Sequence, residues 1–198
     1  MCGRLIVVEG LDGAGKTTLS KSLAAALGAE WTTTPGKALR LLREDIELAL
    51  DGPIAHQLFY AASVVSEANA VAPALARGQD VVVDRYWAST VAYAALRGDG
   101  ADLWSVERSV RAADVTIFLT LREEVRRSRL LQRGASPGDV ATFDTERRER
   151  LKRAFVQALR SPLAGWVVGI DVSELDQAGT LRAVLAALAE PAGHRRSS

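Results

Sequence analysis

The chain is poor in the residues that staple or metallate small proteins. Its 198 residues include one cysteine, Cys2, and two histidines, His56 and His194. One cysteine cannot close an intramolecular disulfide, and no Cys/His spacing matches a zinc site. A lone thiol suits a reducing compartment, so a cytoplasmic location is expected. An excess of one charge is also missing: 25 Lys and Arg stand against 24 Asp and Glu, a net charge of +1. A nucleic-acid surface would show a strong basic excess, so no polymer partner is expected. No run of residues reads as the ~18–20 apolar residues of a membrane span, and no membrane association is expected. The apolar run Leu5–Val8 is too short for a signal-peptide core and reads as a strand.

What is present is alternation. Short β-branched runs occur at Leu5–Glu9, Trp31–Thr34, Asp80–Asp84, Asp114–Leu121 and Trp166–Asp171. Helical spacing fills the intervals, near 16–27, 37–50, 53–77, 88–97, 102–112, 122–133, 143–160 and 174–189. Continuous apolar strands separated by helices predict an α/β fold with a doubly wound, five-stranded parallel sheet covered on both faces. Ligands in such folds bind outside the carboxyl ends of the strands. One domain is expected over residues 1–190, followed by a frayed tail, 191–198. Gly134–Thr142 (GASPGDVAT) is the least regular internal stretch and reads as part of a mobile lid, about 134–150.

The strongest local signal follows the first strand. Gly10-Leu11-Asp12-Gly13-Ala14-Gly15-Lys16-Thr17 fits G-x-x-x-x-G-K-[ST] between a strand and a helix. The glycines let the backbone curl so that N–H groups face phosphate oxygens, and the helix N-terminus adds a favourable dipole. Lys16 is positioned to bridge a donor's outer phosphates, and the Thr17 hydroxyl to ligate Mg²⁺; Thr18 completes the loop. Guanine-specific switches carry an Asn-Lys-x-Asp element, whereas the single asparagine here, Asn69, precedes Ala70. A second polar pair, Asp84-Arg85, closes the buried run Val81–Val83. Asp84 is a candidate for holding Mg²⁺ through water, and Arg85 for gripping the transferred phosphate with its planar fork. A structural ion pair at the strand end is the plainer alternative.

At these residues the chain resembles the thymidylate kinase family. Val8–Thr18 (VEGLDGAGKTT) is similar to that family's P-loop, and Asp84–Tyr93 (DRYWASTVAY) to its D-R-Y-x-x-S-[STN]-x-A-Y segment. Thr116–Gly134 resembles the strand, helix and arginine-rich entry to its lid, and Trp166–Asp171 its last strand. The resemblance implies an ATP-dependent phosphotransferase with Mg²⁺, a nucleoside monophosphate acceptor and a homodimer, formed through helix faces including the Ala-rich stretch Ala61–Ala76.

It also implies residue roles. Lys16, Arg85 and Asp12 would be catalytic, with Asp12 facing the acceptor's 3′-hydroxyl or the metal. Phe59 would stack on the acceptor base, Arg85 hold its phosphate, Thr90 read the base and Tyr93 pack on the sugar. Arg129 or Arg133 would lie against the donor adenine. A charge-stabilising arginine would come from the lid, with Arg147, Arg148 and Arg150 as candidates. For Arg126, Arg127, Arg147 and Arg148, a solvated helix face is the plainer alternative.

The resemblance weakens on the acceptor side. Where the family carries T-R-E-P-G-G, this chain has Thr32-Thr33-Thr34-Pro35-Gly36-Lys37. The family's Asp-Arg after the stacking Phe is Ala62-Ser63, which leaves Ser63 at a base-reading position. Its Gln after Ala-Tyr is Ala94. Lys37, Arg40 or Arg43 is expected to supply the missing phosphate charge. Three functions stay open from the residues: a kinase of dTMP, a kinase of another phosphorylated acceptor, and a non-catalytic nucleotide-binding regulator.

Overall fold

A computed structural model describes residues 2–98 and 103–189. The chain runs β1 (Leu5–Gly10), α1 (Lys16–Leu27), β2 (Glu30–Thr33), α2 (Lys37–Leu41), α3 (Arg43–Ala49), α4 (Gly52–Ala76), β3 (Val81–Asp84) and α5 (Trp87–Arg97). It continues through α6 (Trp104–Glu107), β4 (Val115–Thr120), α7 (Glu123–Gln132), α8 (Pro137–Ala141), α9 (Thr145–Ala158), β5 (Trp166–Asp171) and α10 (Gln177–Ala189). The five strands form one parallel sheet in the order β2-β3-β1-β4-β5.

The central strand explains the layering. Every residue of β1 is buried, because strands flank it on both edges and helices cover both faces. Successive side chains of a strand point to opposite faces. Leu5 and Val7 accordingly join Val81 and Val83 against α4, through Ala61, Val64, Ala68 and Val71. Ile6 and Val8 join Val82 and Ile117 against α1 and α10, through Leu19, Leu23 and Val184. A third cluster packs Ala88 and Ala92 of α5 against Leu151 and Phe155 of α9, which anchors the helix that follows the lid segment.

Several expectations change. The helix expected over 37–50 breaks at Leu42 into α2 and α3. Neither piece buries a residue, so no apolar face holds them as one rod. The helix expected at 102–112 contracts to α6. The expected loop 134–142 contains α8, started by a capping box: Ser136 Oγ accepts from Asp139 N at 3.2 Å and Asp139 Oδ2 accepts from Ser136 N at 2.9 Å. The Gly and Pro that suggested a loop serve there as cap-adjacent residues.

Against expectation, α4 is long and apolar enough to cross a membrane by length and composition, at 25 residues and a mean hydropathy of 1.2. The reason is that α4 is a core helix, with Gln57, Ser63 and Glu67 buried beside its alanines and valines. The tail 191–198 lies outside the described residues.

Candidate active site

Strand β1 ends at Gly10, and the loop from Gly10 to Gly15 delivers the chain to α1 at Lys16. Gly13 has φ 91°, and a Cβ there would meet Arg126 Cγ and Leu130 Cγ at 3.1 Å each. The left-handed backbone and the pressed-in α7 therefore both require glycine. Lys16 is 5% exposed and folds back over the loop. Its Nζ donates to Leu11 O at 2.9 Å and lies 3.6 Å from Asp12 Oδ1. Burial, reinforced by the nearby Arg85 cation, pushes its pKa down to about 8.

Asp12 is the hub. One carboxylate oxygen pairs with Arg85, and the other accepts from the Tyr93 hydroxyl at 2.6 Å. Arg85 also sits over the Tyr93 ring, 5.5 Å from its centroid. Burial alone would raise Asp12, but Arg85, Lys16 and the Tyr93 hydroxyl hold it well below the usual carboxylate range. The same contact with Asp12 outweighs burial at Arg85 and raises its pKa, so the guanidinium stays charged. Burial raises Tyr93, which stays a neutral donor.

Arg85 has φ 68°, in the left-handed region that disfavours non-glycine residues by ~1–3 kcal/mol. The surrounding structure fixes this conformation. Arg85 N donates to Val8 O at 3.0 Å. The wholly buried Glu9 carboxylate accepts from Tyr86 N at 2.8 Å, from Ser89 N at 3.0 Å and from Ser89 Oγ. Glu9 thus caps the first turn of α5 from the neighbouring strand. Burial raises its pKa against the pull of those hydrogen bonds. Glu9 is not among the candidate site residues legible in the motifs, although a carboxylate inside the apolar run LIVVEG is an available signal.

Thr17 and Asp84 meet on the adjacent strand end. Thr17 Oγ1 donates to Asp84 Oδ2 at 2.5 Å, while Asp84 Oδ1 is buried without a hydrogen-bond partner. An orphaned carboxylate oxygen beside a hydroxyl is the hard-oxygen donor pair that suits Mg²⁺. Among the described residues no group of three or more His, Cys, Asp and Glu gathers to hold a metal. Mg²⁺ does not require one, since it commonly uses one or two protein oxygens and takes the rest from water and phosphates.

The predicted acceptor contacts lie on α4 and α5 and are engaged differently. Phe59 is half-buried, edge-on to Tyr60 at 5.2 Å. The buried Ser63 hydroxyl donates to Phe59 O at 2.8 Å, and Thr90 Oγ1 donates to Tyr86 O at 3.3 Å. The hydroxyl protons of both expected base-reading residues are therefore turned onto backbone carbonyls four residues back. Thr33 Oγ1 donates to Asp84 O at 3.0 Å, and the buried Thr34 Oγ1 has no partner. Of the substitute cations, Arg43 is drawn to Glu47 at 3.3 Å, whereas Lys37 and Arg40 are exposed on α2.

The remaining arginines separate by surroundings. Arg129 donates to Val172 O at 3.1 Å, bracing the turn after β5, and the exposed Arg133 pairs with Asp139 at 3.0 Å. Arg147 is exposed beside Asp144 and Glu146, and Arg150 donates to Ala95 O at 2.7 Å. Arg148 is 12% exposed and lies 3.6 Å from Glu123. Arg126 corrects the solvated-face alternative, because it is 1% exposed.

A parallel sheet of order 2-3-1-4-5, a P-loop on its central strand and an Asp-Arg pair on the neighbouring strand end define a P-loop phosphotransferase of the nucleoside monophosphate kinase type. The family model for thymidylate kinase matches residues 8–175. A thymidylate kinase of Cereibacter sphaeroides is 35% identical over 184 residues, covering 81% of this chain and 83% of that protein. One from Xanthomonas euvesicatoria is 36% identical over 167 residues, covering 75% and 70%. The fold matches the solved thymidylate kinase of Candida albicans with TM-score 0.73 at 20% identity, over 94% of this chain and 91% of that one. The chain belongs to the thymidylate kinase family, and its activity is ATP-dependent phosphoryl transfer.

Proposed function

We propose that the protein transfers the γ-phosphoryl group of ATP to dTMP, giving dTDP and ADP. The observation that carries this reading is the Asp12–Arg85–Tyr93 cluster beside Lys16, which puts an acceptor grip against a donor loop. The acceptor phosphate is already anionic at neutral pH, so transfer needs alignment and charge neutralisation more than a strong base. One of its oxygens forms the new P–O bond while the bond from the γ-phosphorus to the β–γ bridging oxygen breaks and ADP leaves.

Lys16 and the loop around Gly10, Gly13, Ala14, Gly15 and Thr18 hold the donor phosphates. Arg85 turns from Asp12 to the acceptor phosphate, and Asp12 then takes the sugar hydroxyl. Tyr93 packs on the sugar and Phe59 stacks on the base. Thr17 and Asp84 would hold Mg²⁺, which when bound neutralises charge between the β- and γ-phosphates. Arg129, on α7, or Arg133, which follows it, borders the adenine. The protein works in the cytoplasm as a homodimer that uses the outer face of α4, apart from membranes and nucleic-acid polymers.

A second reading, a kinase of the same fold with another monophosphate acceptor, is favoured by one observation. Ser63 and Thr33 place their hydroxyls on backbone carbonyls where the family carries arginines. A 31P NMR assay with ATP, Mg²⁺ and a panel of nucleoside monophosphates separates the readings. The proposal expects dTDP with stoichiometric ADP. Turnover of another monophosphate with dTMP inert supports the second reading and sinks the first.

A further inference from the structure

The end of β1 and the start of α5 are joined by one buried carboxylate. Leu5, Val7 and Glu9 alternate onto the same face of the sheet, where Leu5 and Val7 pack with Tyr86 and Trp87. Glu9 is wholly buried and is the last residue before Gly10 opens the phosphate-binding loop. The first N–H groups of a helix lack intrahelical acceptors and need partners from elsewhere. In α5 the N-cap residue, Tyr86, makes no side-chain cap of its own. Glu9 fills that role: Oε1 accepts from Tyr86 N at 2.8 Å and from Ser89 N at 3.0 Å, while Oε2 accepts from Ser89 Oγ. The N–H groups at these two positions are the ones a capping box satisfies from within its own segment. Here a single carboxylate from β1 serves both.

The choice of residue is informative. Removing a carboxylate from water is costly, and burial raises the pKa of Glu9 against the pull of its hydrogen bonds. A serine or threonine at the N-cap would satisfy the helix at less cost, but would tie α5 only to itself. Glu9 ties it to the strand that ends in the loop. Val8 adds a second tie, since Arg85 N donates to Val8 O at 3.0 Å. Two consecutive residues of β1 therefore hold two consecutive residues, Arg85 and Tyr86, and Arg85 stands there at φ 68°. Tyr93 follows on the same helix and donates to Asp12 at 2.6 Å. A shift in the first turn of α5 would move Arg85 and Tyr93 together, against a loop that stays with β1.

We propose that Glu9 is a positioning residue for acceptor use: it locks the start of α5 to the strand that carries the phosphate-binding loop, and so sets where Arg85 and Tyr93 stand relative to that loop. Glu9 touches neither substrate and acts through those two side chains by hydrogen-bond geometry. This rests on the phosphotransferase reading above.

Steady-state kinetics with ATP and dTMP, together with ATP affinity by calorimetry, test the lock. Glu9→Asp keeps the charge but draws the carboxylate back by one methylene from the two N–H groups. It lowers kcat/KM for dTMP about tenfold, within the cost of misplacing a reacting group by up to about 1 Å, and leaves ATP affinity within about threefold. Glu9→Gln loses the charge but keeps an oxygen that accepts from both N–H groups, so kcat/KM for dTMP stays within about threefold of wild type. The double variant Glu9→Asp/Arg85→Ala is slower than Arg85→Ala by no more than about threefold, because Glu9 acts largely through Arg85. Four results each overturn the lock and leave the kinase reading intact. These are Glu9→Asp kinetics near wild type, a Glu9→Gln loss as large as that of Glu9→Asp, losses that multiply in the double variant, and an equal loss of ATP affinity in Glu9→Asp. Wild-type protein that forms no nucleoside diphosphate at all overturns the kinase reading instead.

Discussion

The two halves of the candidate site were built under different constraints. On the donor side, Lys16, Thr17, Asp84 and the loop glycines keep the full pattern; Thr17 donates to Asp84, and Lys16 lies 3.6 Å from Asp12. On the acceptor side, hydroxyls occupy positions where charged groups stand in the family, and two of them are turned onto backbone carbonyls. The lesson is that phosphate handling tolerates little variation, because every nucleotide presents the same phosphates. Base reading varies because each contact contributes only ~1–3 kcal/mol of discrimination.

The comparison breaks most severely at Lys16. Lys16→Met is expected to lower kcat at least ~10³-fold with the fold intact by circular dichroism, as charge neutralisation on the phosphoryl oxygens is lost. Retained turnover would detach the loop from the chemistry. Arg85→Ala is expected to cost about 10²-fold in kcat/KM for the acceptor, with ATP affinity within threefold by calorimetry. An equal loss in ATP affinity would move Arg85 to the donor half. Phe59→Ala is expected to raise the acceptor KM about 5- to 100-fold at nearly constant kcat, matching ~1–3 kcal/mol of base stacking.

The donor half should also carry a pH signature. Lys16 binds phosphate as the cation, and burial places its pKa at about 8. ATP affinity is therefore flat below pH 8 and falls by up to about tenfold per pH unit above it, with proton uptake on binding. Titration calorimetry in two buffers of different ionisation enthalpy reads that uptake at pH 8.5. Its persistence in Lys16→Met would assign the proton elsewhere. The smallest effect belongs to Ser63→Ala, expected within about twofold in every kinetic constant, since the hydroxyl donates to Phe59 O. A tenfold acceptor defect would mean that Ser63 turns to the base when substrate binds.

Much of the architecture was readable because its causes are local. The run Leu5–Val8 reads as a strand covered on both faces, and the glycines that follow read as a loop that must adopt left-handed φ. The same reasoning found Asp84 and Arg85, since a charged pair ending the run Val81–Val83 must emerge at a strand's carboxyl end. Glu9 and Arg126 were harder, because their roles depend on partners distant in sequence. Glu9 reaches Tyr86 and Ser89, and Arg126 reaches Asp12 and Thr142. Arg126 sits in the charge run Arg126-Arg127, which by pattern is a solvated surface. Only the packing of α7 on Gly13 sets it apart. The break at Leu42 was illegible for a related reason, since helical spacing persists across it while no buried face exists to enforce continuity.

The central claim is a pattern-complete donor half serving dTMP through stacking and phosphate capture, with little hydrogen-bond reading of the base edge. The ratio of kcat/KM for dTMP to that for dUMP, measured in competition at fixed ATP, tests it most directly. The account predicts dTDP formation with dTMP preferred by no more than about 200-fold, the upper value of a methyl contact without base-edge hydrogen bonds. A preference above about 10³-fold, or no dTDP at all, would contradict it.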